Sequence, residues 1–228
     1  NITVALNGAG DTISVDEHDG SIQNFAAASV QRVIIYTLGG DDIVDTHAGK
    51  PTWVHAGDGE DNVTCGDERD VVNGGADNDI INGGGGINWL RGGDGNDDIT
   101  GGDARDVIAG SAGDDDIDSG GGNDLVWGGE GNDEINAGVG RDIVIGGADN
   151  DTINGGDGND RLWGNAGDDS IEGGNGDDVL GGVLGTNTLH GGAGHDLFVV
   201  ADINNNPDND FDPSEDRIRD TFEDPNAT

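Results

Sequence analysis

Between Ala56 and Val199 the chain repeats itself every nine residues, sixteen times, without an insertion or deletion. A fixed short period constrains a fold more tightly than composition does, because every unit must take one local shape and stack on copies of itself. Position 6 of the unit is Asp in fourteen cases and Asn in two, Asn88 and Asn187. Position 8 is apolar in all sixteen, from Val63, Val72 and Ile81 to Leu189 and Phe198. One inward apolar residue, most often β-branched, predicts a very short strand. Glycine dominates positions 1, 2 and 4, where a tight turn demands positive φ or a close approach of the backbone to something bound.

A strand and a turn in nine residues predict an all-β chain, a right-handed parallel β-roll (a β-helix solenoid) with two units in each coil of 18 residues. Odd units stack into one sheet and even units into the other, so each turn lies over the turn 18 residues before it. A position-6 carboxylate with glycine-freed carbonyls supplies the several oxygens that a hard divalent cation requires. Each unit therefore reads as half a calcium site, with the cation between stacked turns.

Composition makes that cation necessary. With 48 acidic residues against 9 basic ones the formal charge is −39, and only 32% of the chain is hydrophobic. Such a polypeptide lacks the apolar surface to offset the entropy of ordering. The sign of the charge excludes nucleic acid as a direct partner and argues against anionic membrane surfaces. One cysteine, Cys65, excludes an intramolecular disulfide and reads as a small turn residue in a position-1 place. The longest apolar runs, such as VIIY at Val33–Tyr36, are too short for a membrane span. The start at Asn1, without methionine or leader, reads as a piece of a longer precursor.

The units GGDGNDRLW (Gly155–Trp163) and GGEGNDEIN (Gly128–Asn136) match G-G-x-G-x-D-x-U-x at every defined position. This pattern resembles the RTX, or haemolysin-type, calcium-binding repeat. The resemblance implies a calcium-filled β-roll in a secreted or surface bacterial protein, each ion bridged by aspartates of successive same-side turns together with turn carbonyls. Carried onto this chain, one ligand column is Asp61, Asp79, Asp97, Asp115, Asp133, Asp151 and Asp169. The other is Asp70, Asp106, Asp124, Asp142, Asp160, Asp178 and Asp196. Neighbours 18 apart give eleven Asp–Asp sites, and three weaker ones include Asn88 or Asn187, so about 11 to 14 calcium ions are expected. Eleven divalent ions would bring −39 to −17. At Glu68, Asp77, Ala104 and Asp149 position 4 is not glycine, so these turns are distorted or lend the ion a further carboxylate.

Three segments are expected. Residues 1–46 form irregular N-terminal β coils capping the roll, 47–199 form the calcium-binding roll, and 200–228 form an acidic capping segment or tail. Within the first, Asp42 is expected to hold an early ion, and SIQNFAAASV (Ser21–Val30) reads as a loop or one helical turn. Within the last, DFDPSEDRI (Asp210–Ile218) resembles a segment that follows such arrays in proteins exported by type I secretion. A capping strand with an acidic tail is an equal reading.

Positions 7 and 9 flank the inward residue and point to solvent. At position 7 odd units are polar in seven of eight cases and even units apolar in seven of eight. Taking His47–His55 as a further even unit, all four tryptophans fall on one sheet, in every second layer. The expected apolar face comprises Trp53, Trp89, Val107, Leu125, Trp127, Ile143, Ile145 and Trp163. Such a strip marks an interaction surface. It packs on a neighbouring domain, a second roll or a cap segment, or it stacks the sugar rings of a polysaccharide, as an adhesin or carbohydrate-binding module would. No enzyme motif is present, and His18, His47, His55, His190 and His195 share no ligand spacing. The function expected is therefore a non-enzymatic calcium-binding module that folds outside the cell, where calcium is plentiful, and serves as a structural or secretion-linked rod.

Overall fold

In the computed structural model, strands are placed at Ile2–Leu6, Thr12–Asp16, Ile22–Ala26 and Arg217–Asp220. The structure further describes residues 29–200 apart from Ala48, with side chains as far as Val199.

Every regular unit contributes one strand, and parallel neighbours pair at a constant offset of 18 residues. Trp89 lies between Val71 and Val107, and Asp98 between Ile80 and Asp116. Odd units build a thirteen-stranded sheet and even units an eleven-stranded one. The position-8 side chains meet between the sheets, and all sixteen are buried. They form a single file down the roll, each worth about 1.5–3 kcal/mol relative to exposure. No α-helix occurs among the described residues.

The register extends one even unit further back, because Trp53 and Val54 pair with Val71 and Val72. Before that the step lengthens by one residue. Ile34 pairs with Trp53 and Ile43 with Asn62, an offset of 19, which is why the nonapeptide pattern cannot be read upstream. Strand Ile2–Leu6 continues the larger sheet beside Ile43–Asp45, then turns antiparallel to Thr12–Asp16, itself antiparallel to Ile22–Ala26.

The loop or helical turn expected over Ser21–Val30 is thus corrected to a strand at Ile22–Ala26. Its alanines suit either state locally, and pairing with Thr12–Asp16 decides between them. At the other end Arg217–Asp220 pairs parallel with Leu197–Val200 and extends the smaller sheet. The rest of the DFDPSEDRI segment and the acidic tail lie outside the described residues.

Candidate metal centre

Each position-6 residue is pinned by its own backbone before its carboxylate is considered. Its carbonyl accepts the N–H of a position-7 residue one coil on, as Asp61 does from Ile80 at 2.8 Å. Its N–H donates to Oδ1 of the position-6 residue 18 further along. Fourteen such bonds, from Asp61 to Asp178, measure 2.7–3.0 Å. The two columns expected from the sequence are therefore present as hydrogen-bonded ladders inside the two rows of turns.

The second carboxylate oxygen is left over. Oδ2 of Asp61, Asp70, Asp79, Asp97, Asp106, Asp115, Asp124, Asp133, Asp142, Asp151, Asp160, Asp169, Asp178 and Asp196 is buried and has no hydrogen-bond partner. An unmatched buried acceptor is costly, and an ionised one more so. Burial, with neighbouring carboxylates adding to it, pushes Asp79, Asp106, Asp115, Asp133, Asp151 and Asp160 up to about 7. The same causes bring Asp70, Asp97, Asp124 and Asp178 to about 6. For Asp61, Asp142 and Asp169 burial also moves the value upward.

The two asparagines reveal what that oxygen faces. Asn88 accepts the Asp70 N–H through Oδ1, as an aspartate would, so its Nδ2 occupies the place of Oδ2. From there Nδ2 donates to the carbonyls of Gly85 and Gly86, both at 3.3 Å. Asn187 repeats the arrangement, accepting from Asp169 and donating to the Leu184 carbonyl at 3.2 Å. The amide thus satisfies turn carbonyls with its own N–H. An aspartate in the same place directs an acceptor at acceptors, an arrangement that suits a cation held among the oxygens. The donor set is all oxygen, one Oδ2 per turn with turn carbonyls, which suits calcium.

Three or more His, Cys, Asp or Glu side chains converge nowhere among the described residues. The ladder explains this, since it spaces one carboxylate per turn and leaves main-chain carbonyls as the remaining donors. Asp42 heads one column, with its N–H on Asp61 Oδ1 at 2.8 Å, but it is only half-buried and is not among the fourteen. Buried Thr52 heads the other column, with its N–H on Asp70 Oδ1 at 2.6 Å.

Glycines serve two separate needs. Positions 2 and 4 take positive φ, as at Gly93 and Gly95, with φ of 139° and 130°. Asp77 and Asp149 adopt this conformation at position 4 without being glycine. Position 1 instead makes room, for a Cβ on Gly92 would stand 2.0 Å from Asp97 Oδ2. Cys65 occupies such a position, buried, its thiol pushed up to about 12 by burial first and by Asp70 second, which makes it an inert turn residue.

Sequence reasoning missed a second ladder, on the outside of the turns. In odd units the position-5 side chain accepts the N–H of position 5 one coil on, running Asn78, Asn96, Asp114, Asn132, Asn150, Asp168 to Thr186 at 2.7–3.1 Å. The signal was an unbroken run of Asn and Asp at a place taken as unconstrained.

Two parallel sheets wound from nine-residue strand–turn units, with carboxylate ladders lining both rows of turns, define a metal-binding β-roll. A family model described as the RTX calcium-binding nonapeptide repeat matches residues 55–90, 91–126 and overlapping copies as far as 181–199. Those matches span more than half of the chain, and the chain belongs to that family. No curated protein matches it.

Proposed function

We propose that this chain is an extracellular calcium-folded rod, a non-enzymatic spacer in an exported bacterial protein, whose folding waits for calcium. The single observation that carries the reading is the set of fourteen buried, partnerless Oδ2 atoms stacked in two columns. Calcium supplies the charge those oxygens lack. The fifteen aspartates from Asp42 to Asp196 are the ligand candidates, with Asn88 and Asn187 as gaps. Without the ion, repulsion along each column and the burial of its carboxylates oppose the roll, so metal binding and folding form one equilibrium.

Several observations support a role outside the cytosol and without catalysis. The family is one of structural repeats and not of enzymes. No helix among the described residues is long and apolar enough to cross a membrane. A fold that needs many calcium ions suits compartments where calcium is about millimolar, and a chain unfolded in a calcium-poor cytosol suits export through a narrow channel. Far-UV circular dichroism of the chain in chelator and after calcium addition tests the proposal. Strand signal gained on addition supports it, and an identical spectrum in both overturns it.

A further inference from the structure

The two faces of the roll differ in charge as well as polarity. Seven Lys and Arg residues lie between Arg32 and Arg161, and every one belongs to the even side. Lys50, Arg69, Arg105 and Arg141 stand on turns leading into strands Thr52–Asp58, Val71–Ala76, Val107–Ala112 and Ile143–Ala148 of the smaller sheet. Arg91 and Arg161 lie on strands of that sheet, and Arg32 directly precedes its strand Val33–Gly39. The outward positions 7 and 9 of the eight even units carry no carboxylate at all, in a chain of formal charge −39.

Arginine and tryptophan alternate along this surface. The strand register places Arg32, Arg69, Arg105 and Arg141 in every second layer and Trp53, Trp89, Trp127 and Trp163 in the layers between. Like residues therefore recur at roughly 10 Å, two strand spacings. The Arg32 guanidinium lies over the Trp53 ring at 4.0 Å and that of Arg69 over Trp89 at 5.4 Å. With Trp53 44% and Trp89 51% exposed, these rings remain open to a ligand. Arg32, Pro51, Trp53, Arg69, Val71 and Trp89 line a cleft of about 460 Å³. Further along the same side Arg141 and Arg161 share a smaller one of about 250 Å³.

We propose that the outer face of the smaller sheet binds an extended acidic polysaccharide, its sugar rings stacked on the tryptophans and its carboxylates paired with the arginines. Aromatic faces suit sugar rings, and a guanidinium pairs a carboxylate through two parallel hydrogen bonds. Charge decides among occupants. A second copy docked face to face would bring arginines against arginines with no carboxylate between them. Nucleic acid carries a phosphate about every 3.4 Å along a strand, several for each arginine, and is repelled by the rest of the chain. A polysaccharide acidic on alternate sugars presents charge at the sparse spacing that this face offers.

The test uses the calcium-loaded chain, with strand content checked by circular dichroism so that a failure to fold is separated from a failure to bind. Tryptophan fluorescence and calorimetry follow binding of a hyaluronan octasaccharide, a neutral chitin oligosaccharide of equal length and a single-stranded oligonucleotide. The octasaccharide is expected to bind and to quench. Affinity is expected to fall at least tenfold in Arg32→Ala/Arg69→Ala and in Trp89→Ala, and to hold in Glu134→Gln on the opposite sheet. The proposal is overturned if the octasaccharide does not bind, if the arginine variant binds it as well as the parent, or if either control ligand binds as tightly.

Discussion

Asn88 and Asp97 differ by one atom in what they present to their turns, and that atom carries most of the chemistry. The amide nitrogen of Asn88 donates to Gly85 and Gly86, whereas Oδ2 of Asp97 is buried without a partner. Asn88→Asp is therefore expected to remove two hydrogen bonds and create a cation site, raising by one the calcium count read by native mass spectrometry at saturation. An unchanged count would contradict that reading. Titration has a definite sign in the metal-free chain. The column aspartates are raised from about 4 to between about 6 and 7 in the fold, so the stability they contribute is complete below the unfolded value and is lost as pH rises through the folded one. In chelator, strand signal is expected to grow as pH falls from 8 to 5. Val183 offers a simpler test: a β-branched residue at φ 72° is strained, and it sits in the turn of Asn187. Val183→Gly is expected to stabilise the calcium-loaded chain by about 1 kcal/mol, read as a higher melting temperature.

At the scale of the strand–turn unit, the two columns are not equivalent. In odd units a position-1 Cβ would meet Oδ2 of its own aspartate at 2.0–2.2 Å, from Gly74 to Gly164. In the even units of Gly101 and Gly155 the distance is 2.8 Å. Three of the four natural substitutions at position 1, Cys65, Ser119 and Ala137, lie on the looser even side. Gly128→Ala is thus expected to cost about 1–3 kcal/mol and Gly155→Ala less, measured as the shift in calcium midpoint for folding. Equal shifts would contradict the asymmetry. Much of this unit was legible beforehand, because position 8 alone identifies the inward face and an odd–even count assigns each strand to its sheet. The difference between columns was not, since both carry the same Gly and Asp. The outer position-5 ladder was hidden for a related reason: Asn and Asp accept a backbone N–H equally well, so the alternation of Asn96, Asp114 and Asn132 conceals one constant role.

For the molecule as a whole, the roll combines a one-residue-wide apolar file with two lines of buried charge, and only a cation reconciles them. Sequence could supply that picture for residues 47–199, where repetition makes each unit a witness to the next. It could not for the N-terminal strands, whose antiparallel pairing depends on partners ten residues apart and not on a period. It also placed all four tryptophans on one sheet, yet the arginine layers between them emerged only from the strand register. The most direct measurement is anomalous diffraction from crystals of the chain grown with calcium and then exchanged for a lanthanide. Two rows of peaks beside the Oδ2 atoms of the fourteen aspartates, interrupted at Asn88 and Asn187, are predicted. A folded roll with no peaks there, its Oδ2 atoms bonded to water alone, would contradict the account.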